Sequence, residues 1–97
     1  MTAPAPSVLA AGLDLGRDAA REAARESIVL LKNDGGFLPF AKHGKIALIG
    51  PLGDSRRDML GCWIAAGDET VAASPLDGIR EALAGHGQVS FTPGCEV

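Results

Sequence analysis

The pattern that most constrains this chain is one strand–helix–strand succession in its second half. Residues 45–49 place an apolar run behind a charged start, which is typical of a strand buried on both faces. Ser74 followed by Pro75 predicts a helix start, because serine caps helices and proline suits their first position. The alternation in residues 88–92 predicts a second strand. Such a crossover favours parallel strands, so the fold class is α/β.

Two strands do not form a stable sheet, and a parallel sheet requires helices on both faces. The 97 residues contain only 4% aromatic residues and no Tyr, so the available core is a thin one of Ala, Leu, Ile and Val. We therefore expect a partial three-layer α/β sandwich, built from one helix and one βαβ unit, that belongs to an incomplete domain.

The first half predicts one amphipathic helix over residues 17–32. Asp14 is its candidate N-cap, and a run ending in Gly35 and Gly36 stops it. Its expected buried stripe follows helical spacing and comprises Ala20, Ala23, Ala24, Ser27, Ile28 and Leu31. We expect a flexible N-terminal arm at 1–16, a linker helix and elbow at 17–44, and the βαβ portion at 45–97.

Charge and composition exclude several classes of protein. A net charge of −3 is unlike that of a dedicated nucleic-acid binder, and no apolar run is long enough to span a membrane. The N-terminus lacks the features of a secretory leader, so we expect the chain as given to be cytoplasmic. Cys62 and Cys95 have no metal-ligand spacing; one disulfide between them is the alternative, and two reduced thiols are expected.

The turn from Gly50 to Asp54 lies where ligands bind in open α/β sheets, beyond the carboxyl end of a strand. It lacks both the dinucleotide and the P-loop fingerprints, and Pro51 removes a donor, so no cofactor is predicted. One interpretation is a simple tight turn. The alternative is a small flavodoxin-like binding module in which this turn binds an anion.

Two further features follow the first predicted strand. Trp63, the only Trp, lies in a polar loop, where it either offers a face to a sugar ring or packs beneath the loop as an anchor. Four loop acids could supply a carboxylate pair for glycoside chemistry, although solvated acids are commoner: Asp54, Asp58, Asp68 and Glu69.

Five motifs stand out along the chain: AREAARESIVLLKND at 20–34, KIALIGPLGDS at 45–55, RDMLGCW at 57–63, PLDGI at 75–79 and TPGC at 92–95. Together they resemble the family 3 glycoside hydrolases, in particular their bacterial periplasmic β-glucosidase branch. This resemblance implies a linker helix that enters the second, α/β sandwich domain of a retaining β-glucosidase. Relatives of this kind are often periplasmic.

The resemblance also implies where the chemistry lies. The family's nucleophilic Asp belongs to a preceding barrel domain and its acid/base Glu to a later part of the sandwich domain, and neither segment is matched by this chain. Lys42 and His43 do not match the sugar-binding Lys-His pair of the barrel. The chain therefore carries no catalytic residue and is expected to be inactive alone.

What the resemblance carries over is a role in binding. Trp63 matches the position of an aromatic wall of the aglycone (+1) subsite. The loop that follows the first strand would line the same face of the subsite. Asp54 and Arg57 in that loop are therefore candidate substrate-binding residues. The implied partners are a β-glucoside or oligosaccharide and the missing barrel domain. A related interpretation is an interaction partner that another polypeptide completes.

Overall fold

The computed structural model describes the backbone of residues 6–97 and the side chains from Gly16 onward. The chain separates into two compact units, a first that ends at Leu38 and a second over Pro39–Val97. Within the described residues, no helix has the length and apolar character that crossing a bilayer demands.

The helix of the first unit, α1 (Pro6–Ser27), begins earlier and ends earlier than the sequence predicts. Pro6 opens it, since the first helical turn needs no amide donor. Asp14 lies inside the helix, so its prediction as the N-cap is wrong. Part of the predicted extended arm is therefore helical, while residues 1–5 of that arm lie outside the described residues.

The C-terminal end of α1 has a local cause. The Ser27 hydroxyl donates to the Ala23 carbonyl at 2.6 Å, and back-bonding of this kind loosens a helix. The β-branched Ile28 and Val29 follow, and such residues favour extended backbone.

The predicted buried stripe of this helix is exposed. Between Ala20 and Ser27 every side chain is exposed, and Ile28 and Leu31 are 76% and 91% exposed. Among the described residues of the first unit, the only other regular element is a 3-10 turn, Asp34–Gly36. Among the described residues of its own unit, the stripe is therefore left uncovered.

The side chain of Asn33 closes the turn that follows. Its amide nitrogen donates to the Leu38 carbonyl and its amide oxygen accepts from the Leu38 amide, both at 2.9 Å. Gly35 and Gly36 between them have φ values of 72° and 65°, which glycine adopts without strain.

The second unit contains the predicted βαβ arrangement. Strand β1 (Gly44–Ile49), helix α2 (Pro75–Leu83) and strand β2 (Gly87–Thr92) follow one another, and the two strands pair in parallel. The register places Leu48 opposite Phe91. The α/β fold class and the parallel pairing are thus confirmed.

The core of this unit lies between α2 and the sheet. Leu76 and Leu83 are the buried hydrophobic residues of the described chain, with exposed fractions of 2% and 4%. On the strands every second residue is half-buried, whereas Ile49 is 67% exposed. The prediction that β1 is buried on both faces is wrong, because among the described residues only one face of the sheet meets a helix.

Helix α2 starts as predicted. The Ser74 hydroxyl accepts from the Asp77 amide and the Asp77 carboxylate accepts from the Ser74 amide, each at 3.1 Å, which is a complete capping box. At the other end Ala84 adopts a left-handed conformation with φ of 47°.

Candidate functional site

The turn after β1 is closed by its own backbone. The Gly50 amide donates to the Thr92 carbonyl at 3.0 Å, and the Gly53 amide donates to the Gly50 carbonyl at 3.1 Å. Because Pro51 has no amide, the turn cannot present the row of free donors that an anion site requires. The geometry therefore favours the tight-turn interpretation over an anion-binding turn.

Beyond the turn, the loop passes the N-terminus of α2 and contacts it three times. The Leu76 amide donates to the Gly53 carbonyl at 2.9 Å. The Ser74 hydroxyl donates to Oδ1 of Asp54 at 3.3 Å, and Nε of Arg56 donates to Oδ2 of Asp77 at 3.0 Å. We call these three contacts the tether.

The structure brings two of the three predicted binding residues together. Asp54 and Arg57 line one shallow depression of about 480 Å³. Its lining carries both signs of charge and is completed by Ser55, Arg56, Glu69 and Thr70. A surface with both donors and carboxylate acceptors can hydrogen-bond to the hydroxyl groups of a sugar.

Trp63 is placed apart from this depression. It is 95% exposed, so the interpretation of Trp63 as an anchor beneath the loop is wrong. The apolar contacts inside the loop come from its neighbours: a Cβ built at Gly67 would meet Leu60 Cδ1 at 3.0 Å and Ile64 Cγ2 at 3.3 Å. Both faces of the indole are left available for stacking.

Two of the four loop acids are engaged by neighbouring donors. Asp58 accepts a hydrogen bond from the Ser55 hydroxyl, and Asp68 accepts from the Thr70 amide and hydroxyl at 2.9 and 2.6 Å. These bonds from Thr70 lower the pKa of Asp68 below its ordinary value of 3.8. The general acid of a glycosidase needs a raised pKa, so Asp68 is unsuited to that role.

The start of α2 was predicted from the sequence, but its contacts with the loop of the candidate site were not. Ser74 was read only as a helix cap, and Arg56 was not singled out. The capping signal was visible in the sequence, but the contacts to the loop span about twenty residues and depend on the fold. Within the described part of the chain, no group of three or more His, Cys, Asp or Glu side chains could hold a metal ion.

The relatives found by comparison with known proteins include three glycosidases. The chain is 45% identical over 72 residues to a periplasmic beta-glucosidase of Salmonella typhimurium, which covers 74% of this chain and 9% of the relative. It is 42% identical over 99 residues to a beta-glucosidase of Rhizobium radiobacter, and this match covers 94% of the chain and 11% of the relative. It is 32% identical over 92 residues to a beta-xylosidase of Formosa agariphila, and this match covers 89% of the chain and 13% of the relative.

The chain thus spans about a tenth of the length of the curated relatives that it matches. Residues 28–91 match the Glycosyl hydrolase family 3 C-terminal domain. That range includes the turn after β1, the tether, Trp63 and α2. This chain belongs to glycosyl hydrolase family 3, in the C-terminal domain of that family.

Proposed function

We propose that this chain forms the start of the C-terminal domain of a retaining β-glucosidase, an enzyme that removes terminal non-reducing β-D-glucosyl residues. Two of its relatives are named as beta-glucosidases, at 45% and 42% identity. The role of the chain within that enzyme is to contribute the aglycone subsite.

The observation that carries this role is the exposure of Trp63. An indole that is 95% exposed presents a large apolar surface that a ligand or another part of a larger assembly can cover. A flat ring of this size suits the apolar face of a pyranose or an aromatic aglycone. Asp54 and Arg57 supply acceptors and donors for the hydroxyl groups.

Bond cleavage in this proposal depends on carboxyl groups outside the chain. A retaining glycosidase uses two carboxyl groups about 5 Å apart, one as nucleophile and one as acid and then base. Asp58 and Asp68, two of the candidate loop acids, are instead tied to neighbouring donors. The chain by itself is therefore inactive, and its partner is the barrel domain.

Complementation tests this function. The 97-residue chain would be mixed with a Salmonella relative from which the matched 72-residue segment has been deleted, and hydrolysis of an aryl β-glucoside would be followed. We expect no hydrolysis by either piece alone and measurable hydrolysis by the mixture.

Variants of Trp63 sharpen the test. In the active mixture, Trp63→Ala should raise KM about tenfold, given that a stacking contact contributes roughly 1–1.5 kcal/mol. Trp63→Phe, which keeps an aromatic face, should recover most of that loss. An active mixture in which Trp63→Ala leaves KM unchanged would contradict the subsite role.

A second substrate addresses the sugar itself. An aryl β-xyloside would be assayed in parallel, because one relative is named as a beta-xylosidase. Faster hydrolysis of the xyloside than of the glucoside would contradict the proposed glucoside specificity. The cytoplasmic location expected from the N-terminal residues stays a prediction, and the Salmonella relative is named as periplasmic.

A further inference from the structure

The tether joins the loop after β1 to the first turn of α2. Its contacts join residues 53–56 to residues 74–77: Gly53 to Leu76, Asp54 to Ser74 and Arg56 to Asp77. One four-residue stretch of loop is therefore held along one helical turn.

Two side chains of the tether, Ser74 and Asp77, each make two hydrogen bonds. Ser74 is only 2% exposed, and its hydroxyl accepts from the Asp77 amide while it donates to Asp54. Oδ2 of Asp77 accepts from the Ser74 amide and from Arg56. The capping box of α2 and the position of the loop therefore depend on the same two side chains.

The two adjacent arginines both line the depression but differ in their pairing. Arg56 is held by Asp77. Arg57 lines the depression beside Asp54, and within the described residues no ion pair of its guanidinium is found. Because the tether holds Arg56 and Asp54, the N–H donors of Arg57 remain available to solvent or to a ligand.

From this geometry we propose that Ser74 and Asp77 are positioning residues of the aglycone subsite, which hold Asp54 and Arg56 so that Asp54 and Arg57 line the same depression. This inference rests on the proposed function. It adds two residues on α2 to a site otherwise made from the loop.

Amide hydrogen exchange on the full chain tests the tether. The reporters are the amides of Ser55 and Leu76, which donate within and across the tethered loop, and the reference is the Gly50 amide, which donates to β2. Arg56→Gln should reduce protection of the reporters about three- to fivefold, the range of a partly exposed ion pair. Protection of the Gly50 amide should not change.

Matched variants separate positioning from general stability. Arg80→Gln removes an exposed arginine from α2 without touching the tether and should leave the reporters unchanged. Ser74→Thr keeps the hydroxyl and should retain the protection that Ser74→Ala loses. Equal loss at the Gly50 amide, no loss in Arg56→Gln, or unprotected reporters in the unaltered chain would each overturn the inference.

The binding role has its own readout in the complemented enzyme. Arg56→Gln should raise KM for the aryl glucoside three- to fivefold with kcat within twofold, because the tether orders a binding loop. Reduced protection with an unchanged KM would overturn positioning of the subsite. Failure of complementation would instead count against the proposed function. The hydrogen-exchange result would still show whether the tether holds the loop.

Discussion

At the scale of single residues, neighbours in the loops of the second unit have opposite roles. Arg56 and Arg57 both line the depression, but Arg56 is paired with Asp77, whereas within the described residues no ion pair of Arg57 is found. In the same way Trp63 is almost fully exposed while Ile64 packs near Gly67 inside the loop. The residue type does not tell which of these side chains is paired, packed or exposed, because that depends on the direction of each side chain in the folded structure.

The carboxyl of Asp77 makes the stability of the second unit dependent on pH. Hydrogen bonds from the Ser74 amide, and then from Arg56, lower its pKa below the ordinary 3.8. A lowered pKa in the folded state contributes stability above the unfolded value, and this contribution is lost as pH falls through the folded pKa. We expect the urea midpoint to fall as pH is lowered from 5 to 2.

The matched variant for this prediction is Asp77→Asn. It removes the titrating group, so its urea midpoint should be lower at pH 5 but should change less between pH 5 and 2. Asp68, whose pKa is also lowered, keeps part of the dependence in this variant. Identical pH dependence in the variant and the unaltered chain would contradict the assignment to Asp77.

At the scale of elements, the turn after β1 is held by close packing as well as by hydrogen bonds. Gly53 is buried against the side chains of Leu48 and Phe91. A Cβ at this position would lie 2.8 Å from Cε2 of Phe91 and 3.2 Å from Cγ of Leu48. The absence of a side chain at Gly53 allows the turn to fold back onto both strands.

Gly53→Ala should therefore destabilise the second unit by about 1–2 kcal/mol, the usual cost of overpacking. Chemical denaturation measures this change in the free energy of unfolding. Adding Phe91→Leu should reduce the cost by removing the ring that the new methyl group meets.

The control is Gly78→Ala in the middle of α2. A Cβ there meets nothing within 4 Å, so this variant should stabilise the helix by about 0.5–1 kcal/mol. If Gly53→Ala were as stable as Gly78→Ala, the turn would not be packed as described.

At the scale of the whole molecule, apolar side chains exceed the partners available to cover them. Within the described chain the buried hydrophobic residues are Leu76 and Leu83. Large hydrophobic residues are exposed in both units, and the most exposed of them are Ile28, Val29, Leu31, Phe37, Trp63 and Val97. Such surfaces are usual where a protein meets another polypeptide.

We therefore expect the isolated chain to unfold over a broad temperature range and to bind a hydrophobic dye. Few buried apolar contacts make unfolding weakly cooperative. Circular dichroism and dye fluorescence measure the two properties. Adding the complementing relative should sharpen the transition and release the dye, whereas a sharp transition of the chain alone without dye binding would contradict this expectation.

Much of the fold could be predicted from local patterns. The helix start at Ser74 and the parallel order of the strands were both predicted correctly. The limits of α1 were not, because alanines continue a helical pattern in both directions and the end is set by the back-bond of Ser27. The burial of the α1 stripe was predicted from spacing alone, and spacing does not supply a partner surface.

The candidate site was predictable only in part. The position of the loop beyond the carboxyl end of β1 followed from the strand pattern, and Asp54 and Arg57 lie together there. The tether at Ser74 and Asp77 was not predictable, because it depends on contacts between residues about twenty positions apart. For Trp63 the sequence left two interpretations open, an exposed face or an anchor beneath the loop, and the structure shows an exposed side chain.

By itself, the sequence determined the identity and order of the strands and of α2, and membership of the family, since capping, alternation and motifs are properties of neighbouring residues. The tertiary structure alone decided which face of each element is covered, which arginine is held and which is available, and where the indole points. All three features depend on which surfaces meet when the chain folds, because a side chain is buried or paired only when another surface lies against it.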